Sequence, residues 1–155
     1  MKSKTETIFL SGLIAGTLDV TAAIVVYAFI FQKTTAIKLL QSIASGIFKK
    51  EAYEGGSKMA WYGLGLHFLI AMTFAWFYFV IYPYLPFLKR NTLISGLLYG
   101  FFVWIVMNLI VLPIAFPALP EKHLDFPLII SILILMFCIG LPIAFITRKY
   151  YSSNR

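Results

Sequence analysis

Residues 8–31 read IFLSGLIAGTLDVTAAIVVYAFIF, an apolar run with one acidic residue, Asp19, near its middle. A helix rises about 1.5 Å per residue, so about 20 apolar residues cross the roughly 30 Å hydrocarbon core of a bilayer. An ionised carboxylate that faces lipid at that depth costs at least about 3 kcal/mol. We therefore expect a transmembrane helix whose Asp19 side faces protein or a water-filled cavity.

Three further apolar runs follow, and each is long enough to cross the membrane. Of the 155 residues, 61% are hydrophobic and only 12% are charged, whereas soluble domains contain about 25% charged residues. The sequence predicts an all-α, polytopic transmembrane four-helix bundle that forms a single domain over residues 1–155. The predicted spans 1 to 4 cover residues 8–31, 59–82, 92–112 and 127–147.

The net charge of +7 comes from Lys and Arg residues in the short segments between the apolar runs. There they set the orientation and contact anionic headgroups, so the expected partner is the lipid bilayer and not nucleic acid. A homodimer or other membrane subunits are the candidate protein partners. The single cysteine, Cys138, cannot form an intramolecular disulfide, and no zinc-ligand or phosphate-loop spacing occurs. We expect no metal and no cofactor.

A shorter amphipathic segment at residues 35–48 lies between spans 1 and 2. Its apolar side carries Ile37, Leu40, Ile43, Ala44, Ile47 and Phe48, and the rest of the wheel carries Lys38, Gln41, Ser42 and Ser45. This segment is too short and too polar to cross the bilayer. We expect a helix at the interface or over the mouth of the bundle, with Leu40, Ile43 and Ile47 facing lipid or the bundle.

Spans 1 and 3 begin with similar glycine-containing heptapeptides, LSGLIAG at 10–16 and ISGLLYG at 94–100. Glycines four residues apart share one helix face and let helices approach closely in lipid. We expect Gly12, Gly16, Gly96 and Gly100 to be helix-packing residues. The shared heptapeptide suggests a parallel duplication of two-helix units, and chance convergence is an equally good explanation.

Three polar residues inside the spans are the candidate functional residues: Asp19, His67 and Asn108. Asp19 lies about 17 Å into span 1, and His67 lies about 12 Å into span 2 from the opposite surface of a core about 30 Å thick. The two residues are therefore at matching depth. We expect both side chains to point into the bundle, within direct or one-water hydrogen-bonding reach, with Asn108 a turn nearer the outer surface.

Short motifs resemble a family of small bacterial four-helix inner-membrane proteins of uncharacterised function. They are GTLD at 16–19, LHFL at 66–69, GLLYG at 96–100, and MN at 107–108 followed by LP at 112–113. Residues 65–117 are also similar to the YagU-like proteins in their order of helices and loops. The resemblance implies a multi-pass protein of the bacterial inner membrane, and it implies no particular reaction or substrate.

The polar residues leave three functional classes open. A small transporter, channel or proton-linked membrane protein would use Asp19 and His67 as an ion or proton path, since ionisable residues inside membranes usually mark such paths. A non-catalytic accessory or assembly subunit would use them for packing. The third hypothesis is cofactor binding, with His67 as an axial haem ligand. No enzyme is expected, because no further nucleophile–base pair stands out.

Charge counts on the two sides of the bundle nearly balance. One side carries Lys2, Lys4, Lys89, Arg90, Arg148, Lys149 and Arg155, and the other carries Lys33, Lys38, Lys49, Lys50, Lys58 and Lys122. The second hairpin decides the orientation, because its loop at 113–126 has one lysine beside two acidic residues. Since positive loops stay in the cytoplasm, both termini are expected to be cytoplasmic.

This orientation can be tested by cysteine labelling in intact cells. In a Cys138→Ser background, Ser153→Cys should resist a membrane-impermeant maleimide added from outside, because the C-terminal tail is cytoplasmic. Ser57→Cys, on the opposite side, should be labelled and serves as the control. Labelling of Ser153→Cys from the periplasmic side would contradict the predicted orientation.

Overall fold

The computed structural model of the protein describes residues 3–116 and 125–153. Lys2, Lys122 and Arg155, which enter the charge comparison above, lie outside these ranges. Every regular element within them is helical, and four helices are long and apolar enough to cross a membrane. These helices are span 1 (Lys4–Ile30), span 2 (Gly56–Ile81), span 3 (Thr92–Ala115) and span 4 (Phe126–Ser153). The predicted all-α four-helix fold is confirmed.

Side-chain caps determine where three of the spans begin. Ser3 and Glu6 form a reciprocal capping box at the start of span 1, with the Ser3 hydroxyl accepting from the Glu6 N–H at 3.0 Å. The Asn91 and Asp125 side chains each accept from the N–H three residues on, at 3.2 and 3.0 Å. Caps satisfy N–H groups that a helix start leaves without partners. Span 1 therefore begins at Lys4, ahead of the apolar run.

Three spans contain π-helical turns. They cover Val25–Ile30 in span 1, Met107–Val111 in span 3 and Leu135–Gly140 in span 4. The second and third are followed closely by Pro113 and Pro142. Proline has no N–H and disturbs the hydrogen bond to the fourth preceding carbonyl, so the helix widens by one residue ahead of it.

The spans pack through two kinds of seam. Span 1 packs against spans 2 and 4, and span 3 packs against span 4. Tyrosines join spans 2 and 3: the Tyr99 hydroxyl donates to the Phe74 carbonyl at 2.6 Å, and the Tyr78 hydroxyl is hydrogen-bonded to the Ser95 hydroxyl at 3.2 Å. The Tyr78 and Tyr99 ring centroids are 4.6 Å apart. Aromatic side chains thus fill the wider seam, and their hydroxyls find partners inside it.

Glycines make the narrow seams possible. A Cβ atom added to Gly12 would lie 2.9 Å from the Met72 Cα, and one added to Gly100 would lie 2.4 Å from the Met136 Cα. The two similar heptapeptides therefore each pack their glycines against the next span in the chain.

The closest approaches involve two glycines outside these heptapeptides. A Cβ at Gly140 would lie 2.0 Å from the Gly96 carbonyl oxygen, and one at Gly63 would lie 1.9 Å from the Leu40 carbonyl oxygen. Real Cβ atoms essentially never come so close, so both positions require glycine. These contacts join spans 3 and 4, and span 2 and the amphipathic segment.

The amphipathic segment forms a helix over Ala36–Phe48 that packs against span 2. Gln41 and Ser45, expected away from the apolar side, are both buried. Gln41 donates to the Gly56 carbonyl of span 2 at 2.9 Å, and the Ser45 hydroxyl donates to the Ser42 carbonyl at 2.8 Å. Ile37 and Ile47 are 51% and 61% exposed. Ala44, on the expected apolar side, is fully buried beside Gly63, so small and polar side chains are buried together on this helix.

The glycine seams predict a sharp contrast between two Gly→Ala substitutions. Gly140→Ala should lower the free energy of unfolding by about 1–3 kcal/mol, because its methyl group would overlap span 3 backbone. Gly65→Ala should be neutral or slightly stabilising, because nothing lies within 4 Å of the added Cβ. Unfolding in mixed micelles, followed by circular dichroism, measures both. Equal stability of the two variants would contradict the packing.

Candidate functional site

Asp19 of span 1 and His67 of span 2 meet inside the bundle. The Asp19 Oδ2 and His67 Nε2 atoms are 3.9 Å apart, and their side chains are 15% and 12% exposed. This separation lies within ion-pair range but is too long for a direct hydrogen bond. The structure thus brings together two of the three polar residues singled out from the sequence.

The direct hydrogen-bond partner of His67 is backbone. Its Nε2 atom lies 2.9 Å from the Gly16 carbonyl oxygen. A carbonyl can only accept, so Nε2 carries the hydrogen and donates it, which assigns the tautomer of a neutral ring. The same N–H faces a second acceptor, the Asp19 carboxylate, which lies less than one helical turn from Gly16 on span 1. A small movement of the ring would exchange one acceptor for the other.

Gly16 allows His67 to reach span 1. A Cβ at Gly16 would lie 2.9 Å from the Phe68 Cδ1 and 3.1 Å from the Ala71 Cβ. Without a side chain there, span 2 comes close enough for the imidazole to contact the backbone. The Phe68 ring lies edge-on to the imidazole, with centroids 5.6 Å apart. Gly16 therefore positions His67 in addition to packing the helices.

Asp19 belongs to a row of side chains that the sequence analysis missed. The row steps four residues at a time through Thr7, Ser11, Ala15, Asp19, Ala23 and Tyr27. Every member is buried or half-buried, whereas Thr17 and Thr21 of the same helix are exposed. The four-residue spacing of Thr, Ser, Asp and Tyr is the signal that could have revealed this row. A protein-facing line of polar and small residues therefore runs the length of span 1.

The two buried hydroxyls of this row retain hydrogen-bonding capacity. The Thr7 hydroxyl donates to the Ser3 carbonyl at 2.9 Å, and the Ser11 hydroxyl donates to the Ile8 carbonyl at 3.0 Å. Each hydroxyl thereby uses its hydrogen within its own helix and keeps oxygen lone pairs that can accept. At the other end of the row, the Tyr27 hydroxyl donates to the Pro127 carbonyl of span 4 at 3.4 Å.

The third polar candidate, Asn108, is placed in span 3. Its Nδ2 atom donates to the Trp104 carbonyl at 2.9 Å, and the Trp104 indole N–H donates to the Ser131 hydroxyl at 2.9 Å. These contacts belong to span 3 and its seam with span 4. Gly96, Gly100 and Trp104, at four-residue spacing on span 3, all contact span 4, and Asn108 continues this spacing with a hydrogen bond inside span 3.

Comparison of the chain with protein-family models, with curated proteins and with solved structures found no match. The resemblance to YagU-like proteins therefore stays a prediction. The chemistry of the Asp19–His67 pair is the remaining basis for assigning a role to this site.

The proximity of Asp19 and His67 predicts that substitutions of the two residues have strongly coupled effects on the free energy of unfolding. Asp19→Asn and His67→Gln should each lower the free energy of unfolding by about 3 kcal/mol, because each leaves a buried partner without its counterpart. The double variant should resemble the worse single variant. Unfolding in micelles gives all three values, and Thr17→Val, on the exposed side of span 1, is the control. Losses that simply add would contradict the coupling.

Proposed function

We propose that this multi-pass membrane protein is a small proton-linked transporter or channel, with the Asp19–His67 pair as its midway proton site. The observation that carries the proposal is the 3.9 Å approach of two largely buried ionisable side chains from different spans. Ionisable residues within membrane spans are costly, and they commonly mark ion or proton paths. Histidine is well suited to such a path, because its charge changes near physiological pH.

The geometry suggests how a proton would cross the pair. The His67 Nε2 atom already carries a hydrogen, so the ring would accept an incoming proton at Nδ1. The resulting imidazolium would then give its Nε2 hydrogen to the Asp19 carboxylate. Asp19 would then release this proton to water on the other side of the pair. The ring, left with its hydrogen on Nδ1, would give up that hydrogen and regain one on Nε2 through bridging water. Each cycle thus moves one proton and leaves both side chains as they began.

The row of side chains on span 1 would carry protons to and from the Asp19–His67 pair. Thr7 and Ser11 lead inward from the first turn, and Tyr27 lies beyond Asp19 near the other end of the helix. Ser11 and Asp19 are separated by about 12 Å at helical rise, so the path between them needs bridging water. Ala15 lies between them and is fully buried, so the helices would have to move apart there to admit this water, which requires polar partners.

The localisation, orientation and assembly that we propose for the protein rest on its sequence. We place the protein in the bacterial inner membrane with both termini in the cytoplasm, and we assign it no enzymatic reaction. A homodimer fits the role, since four helices are few for a pore within one chain. YagU-like proteins remain its proposed relatives.

A non-catalytic accessory or assembly subunit is the second candidate function. The hydrogen bond from His67 to the Gly16 carbonyl favours it, because this contact fastens span 2 to span 1 without any proton transfer. The exposed isoleucines of the amphipathic helix, Ile37 and Ile47, would suit contact with another membrane subunit. In this role the contact between Asp19 and His67 serves only to hold spans 1 and 2 together.

Proton flux into reconstituted vesicles separates the two functions. Vesicles loaded with a pH-sensitive dye receive a potassium diffusion potential, and internal acidification is recorded. The wild-type protein should accelerate acidification over protein-free vesicles, and Asp19→Asn should slow the protein-dependent flux by about a hundredfold, as expected on loss of a proton-transfer group. Thr17→Val, on the exposed side of the same helix, should retain the wild-type rate.

Two results would contradict proton transfer. The first is a wild-type rate equal to that of empty vesicles, and the second is an undiminished rate for folded Asp19→Asn protein. Either result, together with loss of native complexes when Gly16→Leu separates spans 1 and 2, would favour the accessory role.

A further inference from the structure

A cavity of about 760 Å³ lies between the amphipathic helix and spans 1, 2 and 3. Its volume falls within the range of about 300–1,000 Å³ that is typical of small-molecule sites. Its walls are mostly apolar and include Ile43, Ile47, Ile70, Met107 and Val111. The cavity therefore has the size and chemistry to hold a hydrocarbon chain.

A lysine stands at the rim of this cavity. The Lys49 ammonium donates to the Ala115 carbonyl at 2.7 Å and to the Gly46 carbonyl at 3.2 Å, and both of these residues line the cavity. It also lies 6.0 Å from the centroid of the Phe116 ring, which is another lining residue. The Lys49 side chain is exposed, so its positive charge is accessible beside an apolar cavity.

We infer that this cavity binds the acyl chain of an anionic amphiphile, with the chain inside and the negative headgroup against Lys49. The apolar walls account for the chain, and charge complementarity accounts for the headgroup. A free fatty acid and an anionic phospholipid both present this chemistry. Ser42 and Tyr53 also line the cavity, so its lining includes polar residues near the amphipathic helix.

The inference is independent of proton transfer. Leu66 and Ile70, which precede and follow His67 on span 2, and Tyr27 at the end of the row on span 1 line the cavity, while Asp19 and His67 are not among the lining residues. Asp19→Asn should therefore leave amphiphile binding unchanged. A failure of the proton-flux experiment would not affect the cavity, and the reverse also holds.

Photo-crosslinking with a palmitate analogue that carries a diazirine at its tail tests the site. The full chain is purified in neutral detergent, irradiated with the probe and digested, and mass spectrometry locates the label. The label is expected on the peptides that carry Ile70, Met107 and Val111. Competition by unlabelled palmitate or by phosphatidylglycerol identifies which source of acyl chain binds better.

Substitutions with matched controls test the cavity. Ile70→Trp should reduce labelling about tenfold by filling the span 2 side of the cavity and excluding methylene groups. Leu69→Trp adds the same side chain at a position that is 63% exposed, so labelling should not change. Ile47→Trp narrows the mouth from an exposed position, and it provides a second test should Ile70→Trp fail to fold.

A charge substitution tests the headgroup contact. Lys49→Gln should weaken competition by palmitate by about two- to fivefold, the range expected for an exposed ion pair. The same substitution should leave competition by methyl palmitate unchanged, and Lys50→Gln is the matched control for palmitate. Equal labelling of Ile70→Trp and Leu69→Trp, absence of label on the lining peptides, or equal competition by palmitate and its methyl ester in the wild-type protein would overturn the inference.

Discussion

The cost of placing a carboxyl group in the middle of a membrane span constrains the rest of this structure. Asp19 cannot face hydrocarbon cheaply, so span 1 must turn its Asp19 side toward protein. That side meets His67 of span 2 at 3.9 Å. Gly16 makes the meeting possible, because its missing side chain lets the imidazole reach the backbone carbonyl at 2.9 Å. A packing residue and an ionisable pair are thus parts of one interaction.

The other helix contacts in the bundle also depend on glycines and on hydrogen bonds. In lipid, helices gain little from burying apolar surface and associate through close packing and hydrogen bonds. Gly63 and Gly140 bring backbone against backbone in two seams, while Tyr78 and Tyr99 fill the seam where spans 2 and 3 stand further apart. The amphipathic helix follows this pattern, because its backbone at Leu40 meets Gly63 and its Gln41 side chain donates to the Gly56 carbonyl of span 2.

Sequence patterns predicted features that depend on one helix at a time. Hydropathy identified the four helices, and counting residues from opposite surfaces placed Asp19 and His67 at one depth. Features that depend on how one helix meets another could not be predicted in this way. Nothing in the sequence shows that Gly140 opposes the Gly96 carbonyl. The cavity beside Lys49 likewise depends on several elements meeting. The row from Thr7 to Tyr27 was visible in the sequence, but only the burial of every member gives it meaning.

The contact between His67 and span 1 can be measured directly by solid-state NMR in bilayers. His123→Gln leaves His67 as the only histidine, and Gly16–Thr17 is the only Gly-Thr step in the sequence, so selective labelling isolates one nitrogen pair and one carbonyl. The 2.9 Å hydrogen bond predicts a measurable dipolar coupling between the protonated Nε2 of His67 and the Gly16 carbonyl carbon. Absence of that coupling, or a hydrogen on Nδ1 alone, would contradict the site described above.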